Sequence, residues 1–503
     1  MMGDRERNLS KSKVMKGLQC PKSLYLSVHA PELARPTPAA VQAVFDEGHR
    51  VGIEARNRFP GGVLIDVAPT EFATALEATQ AQIAAGARVL YEATFVHEGV
   101  LVRIDILHRS RAGSPWHICE VKSTTEVKDQ HIDDAAVQTW VLRGSGERVA
   151  SVSIMHINNE CVYPELDRLF TQVDVTAPVE EALGALPSAV AKFKAMLMKQ
   201  AAPNVDIGPH CDDPYECEFK DHCWSEKKIP EISVFDIPNL STKRKWEFYR
   251  KGVVDLAQLR DTEEKLNSTQ RKMIEVTLSG TRALDRKAVQ RELRAWTFPL
   301  YFLDFETIGP AIPRYPGTRP YEQVPFQFSC HIQLKPGSGL THSEYLHDLT
   351  SDPREPLIRA LIDCIAENSS VVAYNKGFES GRLSALARAF PVYGDRLLGI
   401  AGRLVDPLPI FRAHVYDRKF RGSFSIKSVA PALLGASLSY EGMAVAGGSE
   451  AQIAFEELIL DATSPARKAE LRQAMLDYCR KDTIAMVKLV EWLRDGGGAG
   501  SGE

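Results

Sequence analysis

Two strings in the sequence put carboxylates where a divalent cation could use them. Asp304 and Glu306 stand two apart in Tyr301-Phe302-Leu303-Asp304-Phe305-Glu306-Thr307, an apolar run that predicts a strand. Residues i and i+2 of a strand face the same side, and burying such a pair is costly without a cation. Upstream, Asp105 follows the apolar run Val100-Leu101-Val102-Arg103-Ile104, and Glu120-Val121-Lys122 comes on the next predicted strand, where Glu120 and Lys122 project together. Two carboxylates about 4 Å apart repel by roughly 4 kcal/mol at an effective dielectric near 20. Mg²⁺ or Mn²⁺ suits oxygen ligands and removes that cost. Such a site can hydrolyse a phosphodiester, with Lys122 positioning water or neutralising the transition state. Taken alone, an Asp, a spacer and Glu-x-Lys equally describes a surface salt-bridge ladder.

Further residues could complete each set. Val371-Val372-Ala373-Tyr374-Asn375-Lys376-Gly377-Phe378-Glu379 reads as a strand entering a helix, and Tyr478-Cys479-Arg480-Lys481-Asp482 puts Tyr478 and Asp482 on one helix face. Among nine cysteines, Cys211, Cys217 and Cys223 recur every six residues, with Cys20 far upstream. Four soft thiolates can hold zinc or an iron–sulfur cluster, and spacing does not separate the two. His210 and His222 become ligands only in a zinc site. Clamping a loop of about 190 residues costs about 5 kcal/mol of chain entropy, which a metal centre can exceed, since structural zinc contributes roughly 10–16 kcal/mol. Cys119, Cys330 and Cys364 sit in apolar surroundings and read as small core residues.

The elements that must position these residues form two α/β blocks. Helical periodicity covers 40–58; strands follow over 89–95, 100–107 and 117–122, then a helix near 131–143 and a strand over 152–157. Residues 230–296 read as a polar, amphipathic helical connector. A second α/β block runs from 299 to about 493, and the glycine-rich end reads as a flexible tail. The chain has 503 residues, 44% hydrophobic and 25% charged, the composition of a globular protein. No apolar run reaches the roughly 18–20 residues of a membrane span, and the start lacks a signal-peptide core; a cytoplasmic protein without membrane partners is expected. Net charge is −4, so nucleic-acid binding would depend on local basic surface. Lys243-Arg244-Lys245 with Arg250-Lys251, and Arg418-Lys419-Phe420-Arg421, are candidates that equally read as solvated faces. No phosphate loop of the G-x-x-x-x-G-K-[ST] type occurs, so an ATP-driven helicase would be a separate partner.

The first block, with Asp105, Glu120 and Lys122, resembles the PD-(D/E)XK nucleases of the RecB type. The resemblance extends to Gln138 on the following helix, beside the active site in that family, and to His49 in Glu47-Gly48-His49-Arg50, where the family has a metal ligand. The usual Gln-x-x-x-Tyr ends here in Leu142. Cys20-Pro21-Lys22-Ser23-Leu24-Tyr25 and the Cys211, Cys217, Cys223 segment resemble the iron–sulfur branch of these nucleases, including CRISPR-associated ones, which implies a [4Fe–4S] cluster. The second block resembles the DEDD exonucleases of the subgroup with a tyrosine. That implies an RNase H-like fold in which Asp304, Glu306, Glu379 and Asp482 hold two divalent metals, Mg²⁺ or Mn²⁺, and Tyr478 orients the attacking water. Asn375 would support the loop or substrate, and Asp406 and Gly422-Ser423-Phe424-Ser425-Ile426-Lys427 match elements between the motifs. Glu379 departs from the family's usual Asp.

Together these imply an α/β protein with a RecB-like PD-(D/E)XK nuclease domain and its cysteine staple at 1–228, a helical connector at 229–297, a DEDD exonuclease domain at 298–493 and a flexible tail at 494–503. The expected activity is metal-dependent exonucleolytic hydrolysis of DNA, at single strands or ends, compatible with DNA repair, phage defence and CRISPR adaptation alike. The alternatives are an RNA exonuclease using the DEDD site and a non-catalytic nucleic-acid-binding scaffold.

Overall fold

A computed structural model describes residues 9–68, 70–260 and 264–497. Residues 498–503 of the expected tail lie outside the described residues. The chain is mixed α/β and divides into two compact units. The first takes residues up to Lys228 together with 310–314 and 318–321, and the second takes the remainder. Among the described residues no helix is long and apolar enough to cross a membrane.

The first unit is built on seven strands: β1 (Leu9–Ser10), β2 (Val63–Leu64), β3 (Val89–His97), β4 (Val100–His108), β5 (Trp116–Lys122), β6 (Val149–Ile157) and β7 (Phe170–Asp174). The sheet runs β2-β3-β4-β5-β6-β7, and β1 also pairs with β4. The β1 and β5 strands take different stretches of one neighbour: β1 pairs in parallel at Val100 and Leu101, and β5 in antiparallel from Ile106 to His108. Backbone pairing of β4 with β5 therefore stops just short of Asp105 and Glu120. The alternation of β4 also breaks there. Val100, Val102, Ile104 and Leu107 enter the main core with the helix Asp129–Gly144, while Ile106 enters a smaller core with Tyr91, Cys119 and Met155. On β3, Glu92 lies between the pairs Tyr91–Ile106 and Ala93–Ile104 with φ 57°. Local kinks of this kind re-aim side chains.

The second unit holds β8 (Ala283–Leu284), β9 (Leu300–Ile308), β10 (Val324–Gln333), β11 (Leu340–Leu346), β12 (Ser370–Val372), β13 (Leu404–Val405) and β14 (Val415–Tyr416). Its main sheet runs β11-β10-β9-β12-β13; β9 to β11 are antiparallel neighbours, and β12 and β13 continue in parallel with β9. Central β9 is buried on both faces, which is why its sequence is a continuous apolar run rather than an alternation. Leu300 and Phe302 face one core, and Tyr301, Leu303 and Phe305 face another.

The segment expected to be a connector is part of this unit. Its helices Thr242–Arg250, Ser268–Ser279 and Arg286–Leu293 send Phe248, Met273, Ile274, Val289 and Leu293 into the same core as Phe302, Phe411 and Trp492. Amphipathic periodicity was legible in the sequence, but not which surface the apolar stripe would cover. Phe248 is only 2% exposed. Phe248→Ala should therefore destabilise the second unit by about 3–5 kcal/mol, the usual cost of emptying a buried phenyl site. Chemical denaturation followed by fluorescence checks this; an independent connector would leave the main transition unmoved.

Candidate active sites and cysteine centre

In the first unit the end of β4–β5 pairing leaves a wedge, and charged groups fill it. The Asp105 carboxylate accepts the Val121 N–H at 2.8 Å, replacing a backbone acceptor. Glu120 is buried; its Oε1 accepts from Lys122 Nζ at 2.7 Å and its Oε2 from Gln138 Nε2 at 2.6 Å. Four of the predicted residues, Asp105, Glu120, Lys122 and Gln138, thus meet through direct hydrogen bonds or neighbouring strand positions. His49 is exposed on the helix Ala39–Ala55, near the end of β5, since a Cβ on neighbouring Gly48 would lie 4.0 Å from Ser123 Oγ. The ligand atoms of His49, Asp105 and Glu120 do not lie within 4.8 Å of one another. Leu142 is fully buried in the core, so that position carries no polar group toward the wedge.

Two residues that the motifs did not name complete this cluster. Lys11 Nζ is 3.0 Å from Glu120 Oε1 and 3.1 Å from Asp134 Oδ1, and Lys122 also pairs with Asp134. Asp134 is four residues before Gln138 on one helix, so its place on the same face was a readable signal. Lys11 had none, because the β1–β4 register brings it there. Burial alone would raise the Glu120 carboxyl, but Lys11 and Lys122 outweigh it and hold it well below the carboxylate range. Burial and the Glu120 charge push Asp105 up, and burial raises Asp134. Both lysines stay protonated, since Glu120 and Asp134 outweigh the cost of burying them.

The cysteine centre joins two distant segments of the same unit. Cys20 separates the helices Lys11–Gln19 and Pro21–His29; Cys211 ends a 3₁₀ turn, and Cys223 lies on the short helix Lys220–Glu226. The Gln19 amide donates to the carbonyls of His210 at 2.8 Å and Tyr215 at 2.7 Å. Lys16 pairs with Glu218, and Lys22 with Glu226 at 2.5 Å. Burial raises the thiols of Cys20, Cys211 (to about 11) and Cys223, and Cys217 adds to all three, so Cys20, Cys211, Cys217 and Cys223 lie near one another. No three of their Sγ atoms lie within 4.8 Å of one another. His222 faces Glu226 at 3.3 Å.

In the second unit, Asp304 and Glu306 leave β9 on the face covered by the long helix Pro465–Arg494, which carries Tyr478 and Asp482 one turn apart. Glu379 comes from the first turn of the helix Gly377–Ala389, where the dipole favours a negative charge. That helix is entered through Asn375 at φ 65°. The Asp406 carboxylate fixes this entry, accepting the N–H groups of Asn375 at 3.0 Å and Lys376 at 3.1 Å. All five predicted residues, Asp304, Glu306, Glu379, Tyr478 and Asp482, line one cavity of about 560 Å³, with Lys427 on its wall.

The electrostatics of that cavity call for a cation. Ligand atoms of Asp304, Glu306 and Cys479 lie within 4.8 Å of one another, the one such group among the described residues. Glu379 Oε2 is buried without a hydrogen-bond partner, an oxygen left for something else to satisfy. Burial, reinforced by Asp482, Glu306 and Glu379, pushes Asp304 far up; burial and Asp482 push Glu306 up to about 8; burial does the same to Glu379, also to about 8. Asp482 is raised by burial and partly relieved by Tyr440, whose hydroxyl donates at 2.5 Å. Tyr440 was missed by the motifs. Tyr478 stays a neutral phenol, raised by burial and by Asp482. Lys427 Nζ lies 4.8 Å from the Tyr478 ring centroid and lowers both Glu306 and Asp482, the role of an inward-facing cation.

A family model described as a domain of unknown function (DUF2779) matches residues 301–425. The matched span carries Asp304, Glu306, Glu379 and Asp406, and ends before Tyr478 and Asp482. No curated protein is similar to the chain at a significant level.

The raised carboxyls fix the sign of a pH effect. A carboxyl whose folded pKa lies above its unfolded value binds protons more tightly when folded, so stability falls as pH rises between the two. For Glu306 and Glu379 that window runs from the ordinary carboxyl value of 4.5 to about 8. Metal-free protein should show a falling thermal midpoint across it, with Mg²⁺ or Mn²⁺ restoring stability most at the alkaline end. Glu379→Gln should flatten the profile; a Glu379→Gln profile parallel to that of the unmodified protein would contradict this account.

Proposed function

We propose that the chain is a metal-dependent nuclease that hydrolyses DNA phosphodiesters, with a DEDD-type exonuclease site in the second unit and a RecB-like site in the first. The observation that carries the reading is the convergence of Asp304, Glu306, Glu379 and Asp482, from three separate elements, on one cavity that also receives Tyr478. Their raised carboxyls and the unpartnered Glu379 oxygen fit a divalent cation better than an empty pocket. The antiparallel meander of β11, β10 and β9 extended by parallel β12 and β13 supports an RNase H-like sheet.

Mg²⁺ or Mn²⁺ held by the four carboxylates would offset charge on the phosphodiester and make water more acidic. The protein's part is positioning. Tyr478 keeps its proton and can donate to, and so orient, the attacking water. Tyr440 holds Asp482 in place, and Lys427 faces the cavity as a fixed positive charge for a phosphate oxygen. Asp406 acts through the backbone by fixing the turn that delivers Glu379. The extra methylene of Glu379 relative to Asp is accommodated by its position in the first helical turn, where its carboxylate still reaches the cavity wall.

In the first unit the donor chemistry also suits a hard cation, since Asp105, Glu120 and Asp134 supply oxygens and the buried Gln138 Oε1 lacks a partner. Lys122 is placed to stabilise charge beside Glu120. For the cysteine centre, four thiolates suit zinc and iron–sulfur alike. The resemblance of the Cys20 segment and the Cys211, Cys217, Cys223 segment to the iron–sulfur branch of RecB-like nucleases favours a [4Fe–4S] cluster, with an architectural role.

Nuclease assays with Mg²⁺ or Mn²⁺ on end-labelled single- and double-stranded DNA test the reading. Asp304→Ala should cost the second site more than about 100-fold in rate, and Lys122→Ala should do the same to the first. Undiminished cleavage by the double variant would sink both assignments. The RNA-exonuclease reading is favoured by nothing in the cavity over DNA, and matched labelled RNA in the same assay separates them. Anaerobically prepared protein should be brown with absorbance near about 400 nm, and Cys217→Ser should lose the colour and lower the thermal midpoint of the first unit. Colourless protein with stoichiometric zinc would replace the iron–sulfur assignment.

A further inference from the structure

The first unit carries an ammonium group that its motifs leave unexplained. Lys11 is the first residue of the helix Lys11–Gln19, the end at which a helix dipole disfavours a cation. It reaches past that end to Glu120 Oε1 at 3.0 Å and Asp134 Oδ1 at 3.1 Å. Lys122 Nζ shares the same Glu120 oxygen at 2.7 Å, and the Gln138 amide takes the other at 2.6 Å. Oε1 of Glu120 already accepts from two ammonium groups, so a divalent cation that takes this oxygen must displace one of them. Lys122 rides on the strand of Glu120 itself, two residues on, and is held on that face by Asp134. Lys11 arrives from another element, and it is about as exposed as Lys122 and likewise reaches Asp134, so what sets it apart is its separate origin.

The charge count points the same way. Fully ionised, Asp105, Glu120 and Asp134 against Lys11 and Lys122 leave one net negative charge. Adding a divalent cation while both lysines remain makes the cluster net positive, which attracts a polyanion.

We propose that Lys11 is a cation-exchanged phosphate ligand of the first site. It holds Glu120 and Asp134 together while no divalent cation is present, yields Glu120 when one binds, and then offers its Nζ to a phosphate oxygen of the bound strand. The proposal rests on the nuclease reading of this unit and deepens it: Lys122 serves the reacting centre, and Lys11 serves strand binding.

The test uses full-length protein carrying Asp304→Ala and Asp482→Ala, which silence the second site, with and without Lys11→Met. Without substrate, Mn²⁺ followed by calorimetry should bind about tenfold more tightly in Lys11→Met, because a competing cation has gone. With a single-stranded oligonucleotide, KM should rise about tenfold while kcat changes less than about threefold, and Lys11→Arg should restore both Mn²⁺ affinity and KM. Lys11→Gln replaces Lys11→Met if the latter does not fold. Unchanged or weaker Mn²⁺ binding overturns the exchange, and tighter Mn²⁺ binding with unchanged KM overturns the phosphate role. If Lys122→Ala leaves cleavage intact in this background, the nuclease reading of the unit falls, while the Mn²⁺ titration still decides the exchange separately.

Discussion

Carboxylates buried near one another cannot all stay charged unless a cation joins them, and each unit is organised around that constraint. In the first unit the cations are supplied by the protein: Lys11 and Lys122 neutralise Glu120 and Asp134, and Glu120 is held well below the ordinary range as a result. In the second unit Lys427, with Arg382 beside Glu379 and Lys481 beside Asp482, does not offset the burial of four carboxylates, and their pKa values rise instead. The first cluster is nearly self-sufficient; the second is built to be completed.

The folds that create these clusters do so by interrupting regular structure. In the first unit, β4–β5 pairing ends beside Asp105, the β4 alternation breaks, and β1 takes the remaining edge of β4. In the second, the carboxylates leave a central strand buried on both faces, so that the long C-terminal helix and the turn at Asn375 must come to them. The left-handed backbone at Asn375 is sustained because Asp406 accepts two successive N–H groups there. Strand periodicity places Asp304 beside Glu306 and Glu120 beside Lys122; Glu379, Asp482 and Asp134 reach them from helices.

What was legible in the sequence follows from the range of the interactions. The i, i+2 pairs Asp304–Glu306 and Glu120–Lys122, and the i, i+4 pair Tyr478–Asp482, depend on local periodicity and could be read directly, as could the strands that carry them. Asp134 was readable by the same rule from Gln138. Lys11 and Tyr440 were not, because a β1–β4 pairing and a loop folding back on Asp482 bring them in from far along the chain. The 230–296 segment shows the same limit: its amphipathic helices were apparent, but their shared core with Phe302 and Trp492 depends on tertiary packing alone.

The cysteine centre gains a more specific purpose from the position of Lys11. The helix that delivers Lys11 is short, and isolated helices of its length are marginal in water. It is held at one end by β1, where the Leu9 N–H donates to the Gly99 carbonyl at 2.9 Å, and at the other by Cys20. Between them Lys16 reaches Glu218 and Gln19 reaches the carbonyls of the cysteine-bearing loop. A staple joining Cys20 to Cys211, Cys217 and Cys223 therefore fixes the far end of the element that aims Lys11 at Glu120. A metal centre held by these thiols would thus bear on the charge balance around Glu120 without touching it, through the orientation of one nine-residue helix.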